Sequence, residues 1–121
     1  MFESIIFLVL LQIKHWYIDF VNQSDAEVKG KGLYGDWQGI GHSLKHGAGT
    51  GLATIVAFGT VSAPMALLFV LVDCLIHYHI DWMKMNWGNR DITNKAFWVH
   101  LGLDQMAHQL TYIALFALMV L

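Results

Sequence analysis

Four stretches dominated by apolar residues, separated by three polar breaks, organise the chain. The first runs from about Glu3 to Asn22, through Ser4-Ile-Ile-Phe-Leu-Val-Leu-Leu-Gln-Ile13, before meeting Lys14, His15 and Asp19. The others cover about residues 37–59, 63–86 and 92–121. Since about 20 apolar residues in a helix cross a bilayer core, each stretch predicts one transmembrane helix. The break at 22–36 holds Ser24, Asp25, Glu27, Lys29, Gly30, Lys31 and Gly32 and reads as an exposed loop. Thr60 to Pro64 predicts a tight turn, with Ser62 as a cap and Pro64 in the first turn of the next helix. Trp87-Gly-Asn-Arg-Asp91 ends that helix. The expected fold is all-α, an up-down-up-down four-helix transmembrane bundle made of residues 1–121 as a single domain.

The first stretch lacks the basic start and small-residue cleavage site of a signal peptide, so it is expected to be retained. Gly47, Gly49 and Gly51 would weaken a helix in water, but small residues let membrane helices pack backbone to backbone. A phosphate-cradling loop at Gly47-Ala-Gly-Thr-Gly51 would need a strand before it and Gly-Lys-Ser/Thr after it, and the pattern supplies neither.

Composition agrees with the pattern. Hydrophobic residues make up 56% of the 121 and charged residues 13%, about half the usual charged share, with a mean hydropathy of +0.49. A formal charge of -2 leaves no basic surface for nucleic acid. One cysteine, Cys74, excludes an internal disulfide framework and any multi-cysteine zinc cluster. All seven Lys and Arg residues (Lys14, Lys29, Lys31, Lys45, Lys84, Arg90 and Lys95) fall in or near the 22–36 and 87–91 breaks. Positive charge stays inside, so both breaks are expected in the cytoplasm and both termini in the periplasm of an inner membrane. Trp16, Trp37, Trp82, Trp87 and Trp98 gather at the same level, as an interfacial belt would.

Seven histidines are unexpected in so apolar a chain. They recur with aspartates at one spacing: His15-x3-Asp19, His42-x3-His46, His77-x3-Asp81 and Asp104-x3-His108. Residues four apart lie about 40° apart on a helix and one turn along it, so each pair aims two donor atoms at one point. Ionisable groups at membrane depth usually mark a site. Five imidazoles and three carboxylates suit zinc first, then iron, nickel or manganese, and two divalent ions would nearly neutralise the aspartates. The competing account is a set of scattered interhelical hydrogen bonds. Helix four also reads His100-x3-Asp104, and depth alone would pair those two. Asp73 extends the helix-three series as a supporting partner or plain hydrogen-bonder. His79 lies about 200° from Asp81 and should face away.

These motifs resemble an uncharacterised family of small four-helix membrane proteins of bacteria and phages, the domain of unknown function 3307. The resemblance spans about Leu11 to Leu118 and rests on His15, Asp19, Phe20 and Gln23, then His42 and His46, then His77, Asp81 and Lys84, then Asp104, Gln105 and His108. It selects His108 over His100. That family is similar in turn to inner-membrane metal-dependent hydrolases, which implies a hydrolase holding one or two transition metals and acting on a lipid or lipid-linked ester or phosphoester. Gln23, Lys84 and Gln105 would orient ligands or bind an anionic head group, while Asp73, His79 and His100 lie outside the family pattern, Asp73 and His100 being expected beside the ligands from their spacing alone. The alternatives are a non-catalytic metal-stapled bundle, a transporter or a phage-encoded partner of a host membrane protein, and then a di-iron oxidase or a haem protein ligated by His46 and His108. Expected partners are membrane lipid, with a homo-oligomer or a host membrane protein also open.

Overall fold

A computed structural model describes Met1–Leu121. The chain is all-helical, with no strand: α1 (Phe2–Trp16) continues through a π turn (Tyr17–Val21), followed by α2 (Asp25–Lys31), α3 (Trp37–Phe58), a 3-10 turn (Thr60–Ser62), α4 (Ala63–Trp87) and α5 (Lys95–Val120). The boundaries follow local chemistry. Asp36 caps α3 by accepting the Gln38 N–H at 2.9 Å, and Gly59 stops it with φ at 78°, a conformation that costs a glycine little. Pro64 sits in the first turn of α4, where its missing N–H is not needed. The Ser62 hydroxyl does not cap α4; it donates back to the Gly59 carbonyl at 2.6 Å. Helix α5 starts at Lys95 rather than near Ile92, because Asp91 turns the chain by accepting from Thr93 and Asn94 then caps through the Ala96 N–H.

The four long helices close into a ring. Helix α1 packs on α3 and α5, and α4 packs on the same two. The α3–α4 seam is the tightest: a Cβ added at Gly47 would stand 2.6 Å from the Val70 carbonyl oxygen, so only a hydrogen fits there. The segment Gly47–Gly51 lies inside α3, which leaves no phosphate loop.

The bundle has two storeys. Near the chain termini and the 59–62 turn, Phe7, Leu11, Ala53, Phe69, Tyr112 and Leu115 form an apolar cluster, with the Phe7 and Phe69 rings stacked at 6.1 Å. The storey nearer the 22–36 segment is filled with polar side chains. Over the whole chain, 15 polar or charged residues are buried against 9 hydrophobic ones, while Val9, Ile13, Leu52, Leu71, Leu110 and Ile113 lie exposed.

The 22–36 segment is not the open loop its composition suggested. Ser24 accepts the Glu27 N–H while the Glu27 carboxylate accepts the Ser24 N–H at 2.8 Å, a capping box that starts α2. Glu27 also pairs with Lys45 on α3, and Lys45 reaches the Asn22 carbonyl at 3.0 Å. Gly30 lets the α2 backbone rest on Gly39, and Lys31 is thereby carried, buried, into the bundle. Two segments, Phe2–Val21 and Thr60–Trp87, are long and apolar enough to cross a membrane.

Burial would raise the Glu27 carboxyl, but the Lys45 ammonium and the Ser24 groups outweigh it and hold it at about 2, against an ordinary 4.5. A depressed carboxyl stabilises the docked helix fully above about pH 4.5, and that contribution disappears as pH falls toward 2. Hydrogen exchange, corrected for intrinsic rates, should therefore show α2 amides losing protection across that window. Glu27→Gln should lower their protection at neutral pH about tenfold. Unchanged protection in the variant would contradict this role.

Candidate metal centre

Asp19 stands at the middle of the polar storey because α1 widens into its π turn there. Such a turn inserts one extra residue per ladder bond and re-aims the side chains beyond it. The Asp19 side chain is 7% exposed, and its Oδ1 lies 3.0 Å from His42 Nε2 and 2.9 Å from His46 Nε2. Gln23 holds the turn by donating to the Asp19 carbonyl at 3.1 Å.

Three imidazoles form a column across the bundle. The His77 ring stacks between His46, at 3.6 Å, and His108, at 4.0 Å, measured between centroids. His77 Nε2 lies 3.2 Å from Asp81 Oδ2. His108 Nε2 lies 3.5 Å from Asp81 Oδ1 and 3.4 Å from Asp104 Oδ1. Donor atoms converge in two groups, Asp19 with His42, His46 and His77, and His77 with Asp81 and His108; within each, the atoms lie within 4.8 Å of one another. His77 belongs to both.

Several of these atoms are buried without a hydrogen bond: both nitrogens of His77, Nε2 of His108, Oδ1 of Asp104 and Nδ1 of His42, while Oδ2 of Asp81 has only the ion pair with Lys31 at 2.9 Å. Each such atom in a folded interior costs about 1–3 kcal/mol. Buried imidazole and carboxylate donors that face one another without hydrogen bonds are what a divalent cation resolves, so the residues present fit a metal. Imidazole with carboxylate is the donor set of zinc and of first-row transition metals.

His15 and Asp104 complete the eight-residue cluster but stand beside the two groups. His15 Nδ1 lies 2.9 Å from the Tyr112 hydroxyl and Nε2 lies 2.9 Å from Gln105 Oε1. Gln105 Nε2 donates to Asp104 Oδ2 at 3.1 Å, which fixes the amide so that Oε1 accepts from His15. His15 therefore donates through Nε2 and accepts through Nδ1, and a chain from Tyr112 through His15 and Gln105 orients Asp104. Glu27 Oε1 faces His42 Nδ1 at 3.6 Å from behind, the place a supporting carboxylate takes behind a ligating histidine.

Two lysines enter the cluster. Lys31 Nζ sits 2.9 Å from Asp81 Oδ2 and 3.9 Å from Asp19 Oδ1, although its sequence context read as loop. Lys14 pairs with Asp73 at 2.6 Å, donates to the His46 carbonyl at 3.1 Å and lies 4.6 Å from the centre of the Tyr112 ring. Thr50 donates to the same Asp73 oxygen at 2.5 Å. Asp73 thus touches the cluster only through Lys14. Lys84 lies 3.6 Å from Asp104 Oδ2 at the outer edge.

The remaining histidines lie elsewhere. His100 Nδ1 accepts the Asn89 N–H at 2.7 Å and ties down the connection between α4 and α5. His79 donates to the Leu75 carbonyl at 2.7 Å and meets the Tyr34 hydroxyl at 3.1 Å on the outer surface. A haem held by His46 and His108 has no slot, because the His77 ring fills the space between them. Sequence reasoning missed Lys31 and Tyr112. Tyr112 follows His108 by one helical turn on the same face, and Ser24-x2-Glu27 is a capping-box signature that would have placed Lys31 on a helix.

A polar cleft of about 70 Å³ opens from the cluster, lined by Asp19, Gln23, Lys31, Asp81, Lys84 and Asp104 among others. That volume admits water. No curated protein and no solved structure matches the chain. The motifs that converge here lie within residues 6–121, which match a family described as proteins of unknown function, DUF3307, and the chain belongs to that family.

Proposed function

We propose that this protein is an integral membrane hydrolase that holds two divalent metals, zinc first among them, and cleaves a lipid or lipid-linked ester or phosphoester. The carrying observation is the inequality of the two donor groups. Asp19, His42, His46 and His77 offer four donors, the complement of a closed site. With His77 counted there, because one imidazole nitrogen binds one ion, Asp81 and His108 remain for the second group, with Asp104 Oδ1, 3.4 Å from His108 Nε2, as its third donor; Asp81 and Asp104 also line the cleft, which supports an open position reached by water. A metal held there would supply a water of lowered pKa and polarise the attacked group. The chain's own residues do the rest: Gln105 and Asp104 orient the His108 side of the group, and Lys84 and Lys31 offset the charge of an anionic substrate.

Membrane placement is supported by the apolar exterior, the polar interior and the one-sided distribution of Lys and Arg. Helices α3 and α5, with 22 and 26 residues, reach about 33 and 39 Å at helical rise, long enough to span beside the two more apolar segments. Trp16, Trp37, Trp87 and Trp98 are exposed near one end, as at an interface. In this reading α2 and the 88–94 connection face the cytoplasm. A second reading, a metal-stapled bundle without catalysis, is favoured by the closed group alone.

Elemental analysis of the detergent-purified protein is expected to find two divalent metals per chain. His77→Ala should lose the metal of the four-donor group, which it leaves with three ligands, whereas His108→Ala should keep that metal and lose hydrolysis. His79→Ala should keep two. Absence of bound metal in the native protein, or full retention in His77→Ala, would overturn the metal reading; two metals without turnover across an ester and phosphoester panel would leave the staple.

Topology is tested separately. In a Cys74→Ser background, cysteines placed at Ser24 and Asn89 should resist a membrane-impermeant thiol reagent in intact cells and react after permeabilisation. Efficient labelling from outside at both would reverse the orientation.

A further inference from the structure

On the outer side of the cluster, α4 and α5 part to form a groove of about 240 Å³ lined by Ile80, Met83, Trp87, Leu103 and Ala107, with His100 near its mouth. Lys84 and Asp104 line this groove and also the polar cleft. Their ion pair, at 3.6 Å and with the Lys84 side chain 32% exposed, stands between an apolar surface groove and the candidate metal centre. The geometry points to a binding site for a single-chain phosphoester amphiphile, which enters sideways between α4 and α5 with its hydrocarbon chain in the groove and its phosphoryl group on Lys84. This rests on the hydrolase reading above and names the substrate class for it.

Charge argues for the head group. The groove ends on the Lys84–Asp104 ion pair, and in the hydrolase reading the metals offset Asp19, Asp81 and Asp104 in the cleft beyond, so that Lys84 and Lys31 leave an excess of positive charge that selects an amphiphile with an anionic polar end. A second ammonium, Lys31, lines the cleft beyond the first, so a phosphoryl group passing Lys84 meets another cation on the way to Asp81. Two point cations in series suit a group that carries up to two negative charges. The gate is also free to open. Asp104 keeps the Gln105 amide at 3.1 Å and His108 Nε2 at 3.4 Å when Lys84 leaves it, so the carboxylate is not stranded. The chain end of the ligand would lie against Ile80, Leu103 and Ala107, in direct continuity with the apolar exterior that faces lipid in the proposed placement.

Trp87, 70% exposed at the rim, reports occupancy. The probe is 12-bromododecylphosphonate, whose phosphorus–carbon bond is not hydrolysed, added to the metal-loaded protein in detergent, with 12-bromododecanol and 12-bromododecanoate beside it. Bromine quenching of the fluorescence that disappears in Trp87→Phe should occur at about tenfold lower concentration for the phosphonate than for the alcohol. Lys84→Gln should remove that difference, and Ala107→Trp should weaken all three probes by filling the groove. Equal potency of phosphonate and alcohol in the unaltered protein, or no effect of Lys84→Gln, would overturn the site; equal potency of the carboxylate would overturn the phosphoester class. Dodecyl phosphate turnover is measured in parallel. Selective binding without turnover keeps the groove and removes the hydrolase, whereas turnover that ignores Lys84→Gln removes the groove and keeps the hydrolase.

Discussion

Charge compensation in a closed apolar shell governs this structure. Three aspartates and five histidines share the middle of a bundle barely wider than the side chains themselves, and none can be left unpartnered at low dielectric without a large cost. The fold answers with cations. Lys31 arrives from outside the bundle on its own short helix, and Lys14 is drawn in by Asp73. The capping box of α2, the glycine contact that seats it on α3 and the π turn that lifts Asp19 all serve this one requirement. Two metals would complete the same balance where the lysines leave acceptors exposed to one another.

The apolar storey serves the polar one. Phe7, Leu11, Phe69 and Leu115 clamp the helices at the far end, and Gly47 lets α3 close on α4. That spacing brings His46 and His77 within stacking distance. A larger residue at Gly47 would separate the two helices at the level of the site while leaving the helices themselves intact, so this glycine helps set the spacing of the cluster.

Much of the site was legible because a spacing of four fixes a helix face. His42 and His46, His77 and Asp81, and Asp104 and His108 each present one face to the centre, as their intervals imply. What the spacing omits is phase between helices. The π turn shifts Asp19 relative to His15, so Asp19 joins a donor group while His15 is engaged by Tyr112 and Gln105. The choice between His100 and His108 turned on where helix four begins, and that depends on Asn94 rather than on hydropathy. Lys31 was hidden for another reason: a short helix with few apolar residues carries no periodicity, only the capping signature at its start. The all-helical pattern and the metal-type donors could be read; the lysines that hold them could not.

The stacked column of His46, His77 and His108 constrains more than position. With neighbours at 3.6 and 4.0 Å on its two faces, the His77 ring has no room to flip, and its nitrogens keep their direction before any ligand arrives. The entropy of arranging the donors is then met during folding, and binding begins from a preorganised geometry. In the proposed reading, such rigidity would favour an ion of matching size and tetrahedral habit over one that demands six ligands. For a metal held there, selectivity would be a property of ring packing as much as of donor chemistry.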